Sequence, residues 1–193
     1  MKTTIIFAHP WHDSFNKAVL DESVNTLDKK SVEYNVIDLN KDNFDPVLNE
    51  EELRLYKRGE SNDPLVKKYN EYLDETDNII LIFPIWWYDM PAIMRGFFDK
   101  VMLKDSSYTE DEQGLHPIRN IKNTLVLTSS SAADDFLVKT AGDPINTMIA
   151  TTFSCIGFNN ITWMNLGGFP ANTVEERKAH LEKIAKCIQE KID

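Results

Sequence analysis

The run His9-Pro-Trp-His-Asp-Ser-Phe-Asn16 places imidazole, hydroxyl and amide groups where an apolar stretch gives way to helical spacing. Ser14 and Asn16 stand where the first amide protons of a helix lack intrahelical partners. Those protons, with the helix dipole, suit a phosphate. His9, at the end of the preceding apolar run, is placed to donate to the same anion. The plain alternatives are Ser14 as a simple cap and His9 as an ordinary polar loop residue. A second run, Pro84-Ile-Trp-Trp-Tyr88, follows the buried-looking stretch at residues 78–83 and precedes a helix with Pro91 in its first turn. Pro84, Ile85, Trp86, Trp87 and Tyr88 set flat apolar surface at a strand's carboxyl end, where open α/β sheets bind ligands. Aromatic runs also pack cores and oligomer interfaces. A third run ends another apolar stretch. Its Thr128, Ser129, Ser130 and Ser131 offer donors to a carbonyl or a developing negative charge, or else cap the next helix. Three loops at the ends of three parallel strands converge on one edge, and a planar multi-ring cofactor is the guest they suggest.

Other chemistries lack their residues. The first run has no glycine, so it is neither a dinucleotide fingerprint nor a Walker loop. No Gly-x-Ser-x-Gly elbow surrounds the serines, and no histidine lies between His116 and His180 to act as base. His9 and His12 are three apart in a loop, the other histidines are distant, and Cys155 and Cys187 add no metal-ligand spacing. A net charge of −10 argues against nucleic acid or an anionic membrane as a partner. No apolar run approaches the roughly 20 residues of a membrane span. With no export signal visible at the N-terminus and two cysteines without an inferable pairing, the expectation is a soluble protein of the reducing cytoplasm.

The elements that must position these runs alternate from end to end. Apolar or period-two stretches at residues 3–8, 32–39, 78–83, 124–128 and 160–166 read as strands. Helical spacing covers residues 14–29, 64–75, 91–101, 145–155 and 174–191. A short helical piece at 51–57 interrupts an acidic excursion, and residues 105–120 read as a polar covering loop. Asp63 before Pro64 and the Thr173/Glu176 pair are helix-start signals. Five strands separated by helices predict a doubly wound, five-stranded parallel sheet with helices on both faces. With 42% apolar and 27% charged residues and no repeat or boundary, one domain over residues 1–193 is expected.

On these residues the chain resembles the NAD(P)H:quinone oxidoreductases of flavodoxin-like fold. The shared features are His9, Ser14-Phe15-Asn16, Phe83-Pro84 with Trp87, Pro91-Ala92-Ile93, Gly96 with Phe98, and the loop begun by Thr128. The resemblance implies a flavin, with His9, Phe15 and Asn16 at its phosphate region. Ile85, Trp86, Trp87 and Tyr88 would line the isoalloxazine, with loop amides near its N5 and O4. Thr128 to Ser131 would face its pyrimidine end, where charge gathers on reduction. It implies FAD, with FMN as the alternative, NAD(P)H as co-substrate, a quinone-like acceptor and a homodimer; a flavin stacked on Trp87 would expose one face to both flat substrates, so ping-pong kinetics are expected. A variant within the same class is an azo or nitro reductase; the rival from another class is an ancillary subunit of a potassium-efflux system, and a third reading is an electron carrier that does not turn over nicotinamide. Two departures stand out: serines replace the glycines usual after Thr128, and Asp134, Asp135 and Phe136 stand where mammalian-type members carry a tyrosine and histidine.

Overall fold

A computed structural model describes residues 1–192. In chain order it has β1 (Lys2–Phe7), α1 (Phe15–Lys29), β2 (Glu33–Asp38), α2 (Glu50–Tyr56), α3 (Pro64–Asp74) and β3 (Asn78–Pro84). Then come α4 (Ala92–Val101), β4 (Tyr108–Asp111), β5 (Gly114–Pro117), β6 (Asn123–Ser129) and α5 (Asp134–Lys139). The chain ends with α6 (Pro144–Met148), a π turn (Ile149–Phe153), β7 (Ile161–Leu166) and α7 (Val174–Lys191). Five strands form one parallel sheet in the order β2-β1-β3-β6-β7. That is the doubly wound order of flavodoxin-like sheets, whose topological switch point lies between the first and third strands.

Strand composition explains the order. β3 is buried at every position, and β1 and β6 at all but their first, so these three take the centre. Period-two alternation then sends neighbouring residues to opposite faces. Ile6, Ile79, Leu81 and Val126 meet Tyr69, Leu73, Met94 and Phe97 of α3 and α4. Ile5, Ile80, Ile82, Leu125 and Leu127 meet Val19, Leu20, Leu27, Ile184 and Ile188 of α1 and α7.

Three sequence expectations need correction. Residues 105–120 are more than a covering loop, because β4 and β5 pair as an antiparallel hairpin through Glu110 and Leu115. Its outward residues are polar, so alternation is faint; Arg119 docks it by donating to Asp74, Asn70 and Ser107. The helix expected at 145–155 is a short α6 running into a π turn, and α5 was not foreseen. Pro91 caps α4 rather than lying inside it. The acidic excursion is clamped to α4 by the buried Lys100, whose Nζ reaches Glu52 (2.8 Å), Asp63 (3.3 Å) and the Asp45 carbonyl (2.8 Å). Gly96 permits this approach, since a Cβ there would lie 2.3 Å from the Pro46 carbonyl oxygen.

Candidate functional site

A cleft of about 450 Å³ opens at the carboxyl ends of β1, β3 and β6, at the switch point. Ser14 caps α1 from extended backbone, and its Oγ accepts the Lys17 amide at 3.2 Å. The Phe15 and Asn16 amides, one and two positions into the helix, have no intrahelical acceptor. They face a cleft that Ser14, Phe15 and Asn16 all line. Asn16 is only 3% exposed. Its Nδ2 donates to Ser129 Oγ at 3.0 Å, joining the β1 and β6 loops, while its Oδ1 is buried without a partner. A buried unpaired acceptor costs roughly 1–3 kcal/mol, so this carbonyl is poised for a donor that the protein does not supply.

The hydroxyl run divides by strand parity. Residues 128 and 130 share one face of β6 and its extension, and residue 129 the other. Ser129 therefore points to the α1 side, where it meets Asn16. Thr128 points away. Its hydroxyl donates to Asn165 Oδ1 (2.8 Å) and accepts the Trp163 indole N–H (2.9 Å). The Ser130 hydroxyl donates to the Ala132 carbonyl (2.7 Å) and accepts from Asn165 Nδ2 (2.8 Å). Both protons are thus spent inside the protein. Of the four expected donors, Thr128 does not line the cleft, Ser130 lines it without a free hydroxyl proton, and Ser129 and Ser131 line it with theirs.

The aromatic run is a tight turn. Ile85 donates to the Ser129 carbonyl at 2.7 Å, extending the β3–β6 pairing, and Trp86 and Asp89 then exchange backbone hydrogen bonds of 3.0 and 3.1 Å. Between them Trp87 and Tyr88 hold φ of 53° and 65°. Positive φ at two bulky residues is strained backbone of the kind that gathers at functional sites. Trp86 lines the cleft, but Trp87 and Tyr88 do not. They border an adjoining chamber of about 400 Å³, shared with Ile85, Trp86, Ser130 and Ser131, and Trp87 is 95% exposed. The three rings therefore pack no core, which removes one of their two plain readings.

Sequence reasoning missed the far wall. Phe169 and Arg177, from the turn after β7 and the start of α7, line the cleft. Arg177 lies over the Phe169 ring at 4.7 Å, donates to the Pro170 carbonyl at 2.8 Å, and keeps a buried, unpartnered Nε. Among the described residues it is the only one lining the cleft with a permanent positive charge. Nothing local marks it, since an arginine in a polar helix start is ordinary. Trp11 and Asp13 complete the rim. His9 lines the cleft beside Trp86, with ring centroids 6.1 Å apart. Burial pushes its imidazole below the ordinary range, with the Trp11 backbone opposing and His12 adding to the shift, so it is neutral at pH 7. Among the described residues no cluster of His, Cys, Asp or Glu has metal-binding geometry, and no helix is long and apolar enough to cross a membrane.

Residues 1–192 match the family model for the flavodoxin-like fold. The chain belongs to that family. Within it, the chain is similar to an uncharacterized NAD(P)H oxidoreductase of Haemophilus influenzae, 27% identical over all of this chain and 96% of that one. It is also similar to rat NAD(P)H dehydrogenase [quinone] 1, 25% identical over 77% of this chain, of whose length it spans 60%. Among solved structures, an NAD(P)H:quinone oxidoreductase from Methanothermobacter marburgensis aligns with a TM-score of 0.80 at 27% identity, covering 97% of this chain and 94% of that one. An azoreductase from Bacillus anthracis aligns with a TM-score of 0.78, covering 98% and 99% of the two chains; at 16% identity that likeness shows the fold alone.

Proposed function

We propose that this flavodoxin-like protein is a flavin-dependent oxidoreductase that passes two electrons from NAD(P)H to a quinone-like acceptor. The observation that carries the reading is the buried, unpaired Oδ1 of Asn16 in the switch-point cleft, between a helix N-terminus and a strained aromatic turn. The residues present fit a flavin. The Phe15 and Asn16 amides with Arg177 would hold its phosphate, and Asn16 Oδ1 would accept a hydroxyl of its sugar-alcohol chain. Ile85 and Trp86 would flank its rings, with the amides of Trp87 and Tyr88 at their edge. The hydroxyls of Ser129 and Ser131 would face the end that gains charge. A bound flavin supplies the two-electron carrier; the protein supplies placement and electrostatics.

What the chain's own residues do follows from their positions. The turn at Trp87 and Tyr88 borders the chamber beside the cleft, and nicotinamide and acceptor would compete for that one space, so the first product would leave before the acceptor enters. Ping-pong kinetics, with parallel double-reciprocal lines, are the consequence. Phe169 and Arg177 add an aromatic ring and a cation to the cleft's wall, which would suit FAD, with its second phosphate and adenine, better than the shorter FMN. A second copy of the chain would cover the exposed Trp11, Trp87, Tyr88 and Phe136 rings, supporting a homodimer.

The test is direct. Purified protein is expected to be yellow, to release FAD on heating, and to oxidise NADH or NADPH rapidly with menadione. Protein that stays colourless after incubation with FAD and with FMN would overturn the reading. Sedimentation should report twice the monomer mass; a fully active monomer would remove the homodimer.

A further inference from the structure

The side chain of Asn165 touches three partners, and the function above uses none of those contacts. On β7 it stands opposite Thr128 of β6 in the parallel register. Its Oδ1 accepts the Thr128 hydroxyl at 2.8 Å. Its Nδ2 donates to Ser130 Oγ at 2.8 Å and to Asp134 Oδ1 at 2.6 Å. One amide therefore joins the end of β6, the loop beyond it and the start of α5. The fit is close on the far side too. A Cβ at Gly167 would lie 2.5 Å from the same Asp134 oxygen and 2.8 Å from the Asp134 backbone nitrogen, so only glycine lets α5 come this near.

We propose that Asn165 is a positioning residue for the cleft: its amide, anchored by Asp134, clasps Thr128 and Ser130 and so fixes which groups of the 128–131 loop face the ligand. The proposal rests on the flavin reading only for what the cleft holds. Parity turns the Thr128 hydroxyl away from the cleft, while Ser130 lines it; without Asn165, Thr128 would keep only the Trp163 indole and Ser130 only the Ala132 carbonyl, so both hydroxyls would be held less firmly. With both held by Asn165, Ser129 remains seated on Asn16 and keeps its proton free. The Ser130 amide also stays bonded to the Leu166 carbonyl at 3.1 Å. The clasp is electrostatically directional, because the Asp134 carboxylate oxygen takes an N–H and only an amide at 165 can serve both it and Thr128.

The directionality supplies the test. Asn165→Asp keeps the shape but sets two carboxylates against each other, whereas Asp134→Asn added to it lets an amide face a carboxylate again. Amide exchange is followed at Ser130, Gly168 and Phe169, whose protons bond the carbonyls of Leu166, Ala132 and Ser130. In Asn165→Asp, exchange is expected to quicken about tenfold and the affinity for FAD, titrated by flavin fluorescence, to fall about tenfold, the loss of one to two hydrogen bonds together with the new repulsion between carboxylates. The double variant restores the bond between residues 165 and 134 but gives Ser130 Oγ no N–H, so it should recover part of both. Asp134→Ala, at an exposed position, leaves the fold intact should Asn165→Asp fail to fold; it should quicken the same amides about threefold. Wild-type exchange in Asn165→Asp would overturn the proposal, since an isosteric, merely space-filling residue behaves that way; a defect with no recovery in the double variant would overturn it too, since the Asp134 anchor would then play no part. Unchanged exchange in Asp134→Ala would do the same. If the wild type binds neither FAD nor FMN, the flavin reading fails, while the exchange measurements still decide the clasp.

Discussion

Replacing Asn16 with leucine, a side chain of similar length, should move stability and affinity in opposite directions. In the free protein the Asn16 amide makes one bond, Nδ2 to Ser129 Oγ at 3.0 Å, and leaves Oδ1 buried and unpaired. The bond contributes about 1 kcal/mol net, whereas the orphaned carbonyl costs about 1–3 kcal/mol. Leucine removes both and adds about 1 kcal/mol from burying apolar atoms at a position 3% exposed. The balance is a gain of about 1–3 kcal/mol in the flavin-free protein, about 2 kcal/mol if the carbonyl cost lies mid-range. With FAD bound, the wild-type carbonyl would gain its missing donor and the variant would not. Affinity should then fall by about 1 kcal/mol, roughly fivefold. Urea unfolding of the flavin-free protein gives the first quantity, and FAD fluorescence titration the second. A variant that is clearly less stable but binds FAD as the wild type does would refute the reasoning, because Asn16 would then be an ordinary buried structural amide.

Trp87→Gly relieves a left-handed backbone at an almost fully exposed ring, so the flavin-free protein should gain about 1 kcal/mol in urea unfolding; a loss would mean the turn is unstrained. Gly96→Ala should destabilise by about 1–3 kcal/mol, because its methyl would overlap Pro46, and should leave FAD affinity unchanged; loss of affinity at unchanged stability would contradict this. Burial lowers the pKa of both His9 and His180 from 6.5, with Lys183 lowering His180 further and Asp134 opposing. Just below pH 6.5 the unfolded chain therefore binds protons that the folded chain refuses, so stability falls as pH drops through that window and rises with pH. Urea midpoints measured between about pH 7.5 and about pH 5.5 should show that slope, and His9→Gln with His180→Gln should flatten it; an unaltered slope would assign the effect to other groups.

The sequence alone was enough to read the sheet, because strand and helix periods are local. Runs such as Ile79-Ile80-Leu81-Ile82-Phe83 admit a buried parallel strand whatever surrounds them. It also placed His9, Ser14, Phe15, Asn16, Pro84, Ile85, Trp86, Ser129, Ser130 and Ser131 at one sheet edge, since strand ends in a parallel sheet share a side, and all ten line the cleft. The hairpin of β4 and β5 escaped it, because four-residue strands with polar outward faces carry too little alternation. Tertiary structure alone decided the rest. Which hydroxyls keep their protons depended on Asn165 arriving opposite Thr128, a pairing across 37 residues set by strand register. That Arg177 and Phe169 close the cleft depended on α7 packing beside α1. That Trp87 stands in solvent depended on a turn whose positive φ the Trp86–Asp89 bonds impose on residues that local preference would place elsewhere. Periodicity belongs to neighbours in the chain; the partners that commit a proton or close a wall come from elements far apart in it, and no local preference encodes them.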